Sequence, residues 1–128
     1  MLNQHLNFAK QYYMDANELF RQERYNSSAS RAYYASYHAM WAALGEPVTG
    51  KRWKHIAIIK HFVRGYWLNP DHSSSGPGLL EEKRLPLRTL YDFRLKSDYD
   101  TVSVDASELK QLLIVTGDII KIVEKVKE

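Results

Sequence analysis

The chain contains no cysteine among its 128 residues, which excludes disulfide bonds, thiolate metal ligands and a cysteine nucleophile. It also lacks any run that approaches the roughly 18 apolar residues of a membrane span. The N-terminus, MLNQHLNFAK, has no basic segment followed by an apolar one, so no signal peptide is visible. Neither a glycine-rich phosphate-binding loop nor a G-x-S-x-G nucleophile motif occurs. We therefore expect a cytoplasmic protein with no membrane contact and no cofactor.

The charge and the apolar content are those of an ordinary globular protein. Lysine and arginine number 18 against 15 aspartates and glutamates, which gives a formal net charge of +3, and 45% of the residues are hydrophobic. The length is typical of one domain, so we expect a single domain over residues 1–128. The mild basic excess permits contact with nucleic acid but does not demonstrate it.

An alanine-rich stretch, residues 27–44 (SSASRAYYASYHAMWAAL), has a strong helical pattern and contains neither glycine nor proline. Its alanines form small faces, and its tyrosines and tryptophan form large ones. A helix with so much small surface lets neighbouring helices approach on several sides, which is typical of the central helix of a bundle. Its polar residues must then find partners or face a cleft; they are Ser30, Arg31, Ser36 and His38.

Spacings of three and four between apolar residues predict further helices along the chain. They cover residues 3–22, residues 54–68, a segment from 79 or 86 to about 97, and a segment from 105 to the C-terminus. The predicted fold is all-α, an up-and-down four-helix bundle with an additional short helix.

Capping residues and turn residues set the expected boundaries. Ser27 or Ser28 is the expected N-cap of the second helix, and Asp105, with Glu108 three residues later, is that of the last helix. Residues 69–78 (NPDHSSSGPG) are expected to form a loop. Residues 100–104 are expected to form a short extended link.

Arg31 and His38 form the first candidate site. They are nearly two helical turns apart, so both side chains fall on one face, about 10 Å from each other along the axis. An arginine can hold a phosphate and a histidine can move a proton near neutral pH, and Ser30 and Tyr34 lie close to that face. The alternative is structural: an arginine paired with a carboxylate and a histidine satisfied in the core.

The second candidate site lies at the end of the fourth helix, in the sequence YDFRLKSDYD. Arg94, Asp98 and Tyr99 are predicted to meet where that helix ends. Arg94 and Asp98 also have the i,i+4 spacing of an ion pair. The alternative is therefore an ion pair that only fixes the helix end.

A basic segment with one tryptophan, Lys51, Arg52, Trp53, Lys54 and His55, is the third candidate. Its cations suit RNA phosphates, and the indole ring suits stacking on a base. The alternative is the solvated start of a helix. No metal site is expected, because the histidines are scattered and no HExxH or paired-carboxylate pattern occurs.

Three segments together resemble the HEPN domain family. They are S-x-S-R-A-Y-Y-A-S-Y-H-A over residues 28–39, K-H at residues 54–55, and L-Y-D-F-R-L-K-S-D-Y over residues 90–99. The resemblance spans about residues 7–123, and it is closest to the small stand-alone prokaryotic members. It implies an up-and-down helical bundle that usually forms a homodimer in which two copies of the polar site face each other.

The resemblance also implies a function. Many members are metal-independent ribonucleases that act as toxins or defence effectors, often encoded beside a nucleotidyltransferase-fold partner. Their motif is an arginine followed, after four to six residues, by a histidine near the end of a late helix. Arg94 matches the arginine, whereas Tyr99 occupies the place of the histidine. A tyrosine, with a pKa of about 10, is a poor general base at neutral pH.

The second and fourth helices are expected to line one polar seam, which gives a composite site. In this site Arg94 and Arg31 would stabilise a phosphate, His38 would transfer the proton, and Asp98 and Tyr99 would lie beside them. The leading interpretation is a HEPN-like protein of a two-gene, toxin–antitoxin-type module, either a ribonuclease or a degenerate member that does not cleave RNA.

Two alternatives stay open at this point. One is a non-catalytic module that binds RNA or a nucleotide through the first and third candidate sites. The other is a structural bundle that only dimerises or docks a partner protein. Cleavage of RNA by the purified protein would separate the ribonuclease from both alternatives.

Overall fold

The computed structural model describes residues 2–48, 50–68, 78–99 and 104–127, with side chains described over 4–48, 50–68, 78–97 and 104–127. Within these ranges the chain forms α1 (Leu2–Arg21), α2 (Tyr25–Leu44), α3 (His55–Arg64), α4 (Arg84–Tyr99) and α5 (Ala106–Lys127). Helix α3 has 10 residues and the other four have 16 to 22. The predicted all-α fold of four long helices and a shorter one is confirmed. None of the described helices is long and apolar enough to cross a membrane.

Helix α2 lies at the centre of the bundle, where it contacts all four other helices. Its small side chains allow this arrangement, because they let neighbouring backbones come close. The alanines of α2 that are at most 2% exposed are Ala29, Ala32, Ala35, Ala39, Ala42 and Ala43. The prediction of a central alanine-rich helix is thus confirmed.

Hydroxyl groups buried between the helices are satisfied by hydrogen bonds within and between the helices. Ser28 Oγ donates to the carbonyl oxygen of Ala16 in α1 at 2.7 Å. Thr116 Oγ1 in α5 donates to the Leu112 carbonyl at 2.9 Å. Because its only proton is used there, Thr116 Oγ1 must accept from Ser36 Oγ in α2 at 3.1 Å. Each of these buried hydroxyls therefore has the partner that burial requires.

The connection between α1 and α2 is tighter than the sequence indicates. Glu23 has a left-handed φ of 62°, and the amide of Arg24 donates to the Leu19 carbonyl at 2.9 Å. This is a Schellman C-cap with a non-glycine residue in the left-handed position. Helix α2 begins immediately afterwards, so the N-cap predicted at Ser27 or Ser28 is wrong.

Helix α3 ends at Arg64, before the predicted end at Leu68. Gly65 adopts a left-handed φ of 75°, which side chains rarely adopt and which stops the helix. The chain then returns over the helix end, where the amide of Leu80 donates to the Val63 carbonyl at 3.0 Å. This backbone hydrogen bond caps the C-terminal end of α3, which the apolar periodicity predicts four residues too late.

The start of α5 agrees with the predicted cap. Oδ1 of Asp105 accepts from the amide of Ser107 at 2.8 Å, which satisfies one of the free amides of the first turn. The residue before the cap is also held, because the amide of Val104 donates to Asn26 Oδ1 at 2.9 Å. Helix α5 is thereby attached to the beginning of α2.

Helix α4 follows a short 3-10 turn over Glu81–Lys83. It begins at Arg84, between the two predicted starts, and extends to Tyr99. The loop predicted over residues 69–78 lies outside the described residues apart from Gly78. The link predicted over residues 100–104 also lies outside the described residues, apart from Val104.

The hydroxyl pair between α2 and α5 gives an asymmetric test of stability. Thr116→Val removes the acceptor of the buried Ser36 hydroxyl, so we expect the free energy of unfolding to fall by about 1–3 kcal/mol. Ser36→Ala leaves Thr116 bonded to Leu112, so we expect a smaller loss, about 1 kcal/mol or less. Urea denaturation of both variants measures the difference. Equal losses, or a larger loss for Ser36→Ala, would contradict the donor directions.

Candidate functional site

A wide groove, here called the central groove, runs across the bundle and is lined by residues of α1, α2, α3, α4 and the segment before α3. Its volume is about 1320 Å³. The rings on its wall are those of His5, Tyr12, Tyr34, Tyr37, His38, Trp41, Trp53, His55 and Tyr91. The cations on its wall are Arg52, Lys54, Lys60 and Arg94, and none of its described lining residues is acidic. The groove is therefore both aromatic and electropositive.

Arg94 of α4 is held in the central groove by tyrosines. Its Nη1 donates to the hydroxyl of Tyr34 at 3.1 Å. Its guanidinium carbon lies 5.5 Å from the ring centroid of Tyr33, 5.7 Å from that of Tyr34 and 5.5 Å from that of Tyr91. These distances are within the range of cation–π attraction, so the aromatic rings fix the position of the cation.

His55, at the start of α3, lies beside Arg94. Its Nδ1 is hydrogen-bonded to the hydroxyl of Tyr33, and its ring stacks on that of Tyr91 with centroids 5.3 Å apart. Burial lowers the pKa of His55, and the positive charges of Arg94 and Arg52 lower it further. The imidazole is therefore neutral at pH 7.

His38 of α2 also lines the central groove, where it packs against α1. Its Nδ1 is 3.0 Å from Nδ1 of His5, and its ring stacks on Tyr12 with centroids 5.5 Å apart. Burial, and secondly the neighbouring His5, lower the pKa of His38 to about 4. A group with this pKa is poorly matched to proton transfer at neutral pH, which is the role that the sequence predicts for His38.

A second, smaller groove of about 550 Å³, here called the side groove, contains the rest of the first candidate site. Ser30 and Arg31 line the side groove and do not line the central one. The Arg31 guanidinium carbon lies 5.7 Å from the ring centroid of Tyr12. Tyr12 and Tyr34 line both grooves. Arg31 and His38 are thus placed in adjacent grooves that share a wall of two tyrosines.

The basic segment before α3 lies along the central groove. Arg52, Lys54 and His55 line the groove, whereas Lys51 is exposed and is not among its described lining residues. Trp53 anchors the segment to α2, because its carbonyl accepts from the Tyr37 hydroxyl at 2.6 Å. Its indole Nε1 also donates to the carbonyl of Gly45, the residue that follows α2, at 2.8 Å.

The second candidate site lies at the end of α4. The backbones of Asp98 and Tyr99 belong to the last turn of α4, but their side chains lie outside the described residues. Arg94 is nearby on the same helix, and its carbonyl accepts from Ser97 Oγ at 2.9 Å. Among the described side chains, no group of three His, Asp or Glu residues is arranged to hold a metal ion.

Sequence reasoning missed several residues in the wall of the central groove or directly behind it. Tyr91 precedes Arg94 by three residues on one helix, so the i,i+3 spacing could have placed both on one face. Tyr33 gave no such signal, because its contact with His55 depends on how α2 and α3 pack. The same holds for His5, whose stacking on Trp41, at 4.4 Å between centroids, joins α1 to α2.

The lowered pKa of His38 predicts how stability depends on pH. Since the folded-state pKa of about 4 lies below the ordinary value of 6.5, the unfolded state binds more protons between these values. The free energy of unfolding should therefore fall as the pH drops from 6.5 towards 4. Urea denaturation across this range should show a shallower decline for His38→Gln. Identical slopes for the two proteins would contradict the burial of a neutral His38.

Comparisons with known proteins identify the family. A search of curated proteins found no match to this chain. The family model described as the HEPN domain matches residues 2–126, which is nearly the whole chain. The segments that carry the resemblance lie on α2, at the start of α3 and on α4, and all three contribute to the central groove. The chain therefore belongs to the HEPN domain family.

Proposed function

We propose that this chain is a single HEPN domain over residues 1–128 whose central groove binds RNA through its phosphates and bases. One observation carries the proposal: four cations and nine aromatic or imidazole rings line the groove, and none of its described lining residues is acidic. Cationic grooves with stacking rings are the common design for single-stranded nucleic acids. A nucleotide, which combines one phosphate with one base, is the smallest ligand that this surface fits.

Individual roles follow from the positions of the side chains. Arg94, held by three tyrosines, is the fixed phosphate anchor, since a guanidinium can donate two hydrogen bonds to one phosphate. Arg52 and Lys54 meet the phosphates that follow, and Lys51 adds positive charge from the exposed side of the segment. Rings on the groove wall stack on bases.

The side groove extends the proposed binding track. Ser30 and Arg31 would contact the strand beyond the tyrosine wall, because Tyr34 and Tyr12 line both grooves. The side groove has no acidic residue among its described lining residues either. A strand longer than one nucleotide would thus meet positive charge in both grooves.

Metal-independent cleavage of RNA is the second candidate function. It is favoured by one observation, that Arg94 and three histidines, among them His38 and His55, line the same groove. In this case Arg94, Asp98, Tyr99 and His38 would form the catalytic group. The lowered pKa of His38 and that of His55, together with the tyrosine in the histidine place of the motif, favour binding without cleavage.

Family membership supports the wider biological proposal. HEPN domains commonly dimerise, and we propose a homodimer here. We also propose that the chain acts in the cytoplasm, in a toxin–antitoxin-type module with a nucleotidyltransferase-fold partner. A nucleotidyltransferase encoded by the neighbouring gene would support this part, and copurification of the two proteins would test it.

Arg94 provides the direct test of RNA binding. Arg94→Gln should weaken the binding of a fluorescein-labelled ten-nucleotide oligouridylate by about 10-fold or more, because a hydrogen bond to a charged group is lost. Arg88→Gln is the matched control, since Arg88 is exposed on the same helix and is not among the described lining residues. Fluorescence anisotropy measures both. An equal, small effect of the two substitutions would show that charge alone, and not the central groove, binds RNA.

The purified protein should bind oligoribonucleotides at pH 7 in EDTA without cleaving them, because the lowered pKa of His38 and that of His55 leave few imidazolium ions to act as general acids. A denaturing gel after prolonged incubation measures the outcome. Cleavage that is lost in both Arg94→Ala and His38→Ala would establish the composite catalytic site instead. Cleavage that is unchanged in both variants would exclude that site.

A further inference from the structure

The hydroxyl of Tyr33 is the starting point. The side chain lies on α2 and is 0% exposed, so its hydroxyl proton must find an acceptor inside the protein. The hydroxyl is hydrogen-bonded to Nδ1 of His55. Burial also raises the pKa of Tyr33, which keeps the hydroxyl protonated. At neutral pH Tyr33 is therefore able to donate this bond.

The direction of this bond determines where His55 carries its proton. A neutral imidazole has one N–H and one acceptor nitrogen. If Tyr33 donates to Nδ1, that nitrogen is unprotonated and the proton lies on Nε2. In the opposite tautomer Nδ1–H would donate to Tyr33, and the buried hydroxyl proton would need another acceptor.

By elimination, the edge of the His55 ring that can face the central groove is the one that carries Nε2. The ring's Nδ1 edge is occupied by the buried Tyr33 hydroxyl, its flat face stacks on Tyr91, and the residue lines the groove. Arg94 lies over the same two tyrosine rings, 5.5 Å from each centroid. Nε2 of His55 and the Arg94 guanidinium thus belong to one small region of the groove wall.

We propose that Tyr33 is a positioning residue that holds His55 as the Nε2–H tautomer, and that this N–H and Arg94 together bind the oxygens of one phosphodiester. The inference rests on the proposed function, because it assumes that the groove binds RNA. A protonated Nε2 has no lone pair with which to accept a proton. His55 would therefore recognise the phosphate and would not act as a base on it. The tautomer makes His55 a hydrogen-bond donor.

Nuclear magnetic resonance on the free protein tests the tautomer. Two-bond ¹H–¹⁵N correlation spectra at pH 7.5 should show His55 with an unprotonated Nδ1 and a protonated Nε2. Tyr33→Phe, which conserves the ring, should give a mixture of the two tautomers. Tyr37→Phe is the matched control for the spectra, because its hydroxyl donates to the Trp53 carbonyl while its ring packs on His55 at 5.1 Å. It should leave the tautomer unchanged.

Binding of the labelled ten-nucleotide oligouridylate tests the phosphate contact. His55→Ala should weaken binding by about 10-fold, the cost of one hydrogen bond to a charged group. His55→Gln, which retains an N–H donor near the position of Nε2, should recover most of that loss. Tyr33→Phe should weaken binding by about threefold. Tyr13→Phe, which removes a tyrosine hydroxyl that lies against Gly117 of α5, should have no effect. Circular dichroism melting curves check that each variant folds.

Several results would overturn the inference. A protonated Nδ1 in the wild-type spectrum would reject the role of Tyr33. Equal weakening by His55→Gln and His55→Ala would reject the donor role, and so would full binding by His55→Ala. If binding depends on Arg94 and not on His55, the proposed function stands and this inference fails. A wild-type protein that does not bind the oligonucleotide would overturn both, even with the expected tautomer.

Discussion

The enclosure of α2 by the four other helices is the constraint on which the rest of the structure depends. On the faces that pack against these neighbours, α2 can keep a polar or aromatic side chain only where a neighbour supplies a partner or where the packing leaves a gap. Ser28 and Ser36 have such a partner, since the hydroxyl of each donates a hydrogen bond to a neighbouring helix. Tyr34 and His38 lie where the packing leaves a gap, because they line the central groove. The groove thus results from large side chains on an otherwise small-faced helix.

The same enclosure determines the electrostatics of the groove. Burial removes water from the imidazoles, and the cations beside His55 and the second histidine beside His38 act in the same direction. Both histidines are thereby kept neutral, while the permanent charge is supplied by arginine and lysine. A surface of this kind recognises anions by fixed positive charge and neutral donors. It is less suited to exchanging protons with a bound ligand.

The fold was predictable from the sequence because apolar periodicity and alanine content are local signals. Asp105 is an example, since its cap depends only on residues next to it. The helix boundaries that were predicted wrongly depend on backbone conformation. Glu23 adopts the left-handed conformation that glycine usually occupies, and the chain that returns after Gly65 completes the end of α3. The candidate site was predictable in its residue types but not in its grouping. No sequence spacing relates Tyr33 to His55 or separates Arg31 from His38, because these relations arise from packing between helices.

The tyrosine wall between the two grooves has a consequence for ligand binding. Tyr34 lines both grooves, and its hydroxyl also accepts the hydrogen bond from Arg94. Any ligand that moves this ring from the side of Arg31 therefore also changes the hold on Arg94. Thermodynamic linkage requires that the effect be mutual, so that occupancy of one groove alters affinity in the other by the same factor in both directions. If both grooves bind a ligand, this one aromatic ring couples them, although no charged residue is common to their described linings.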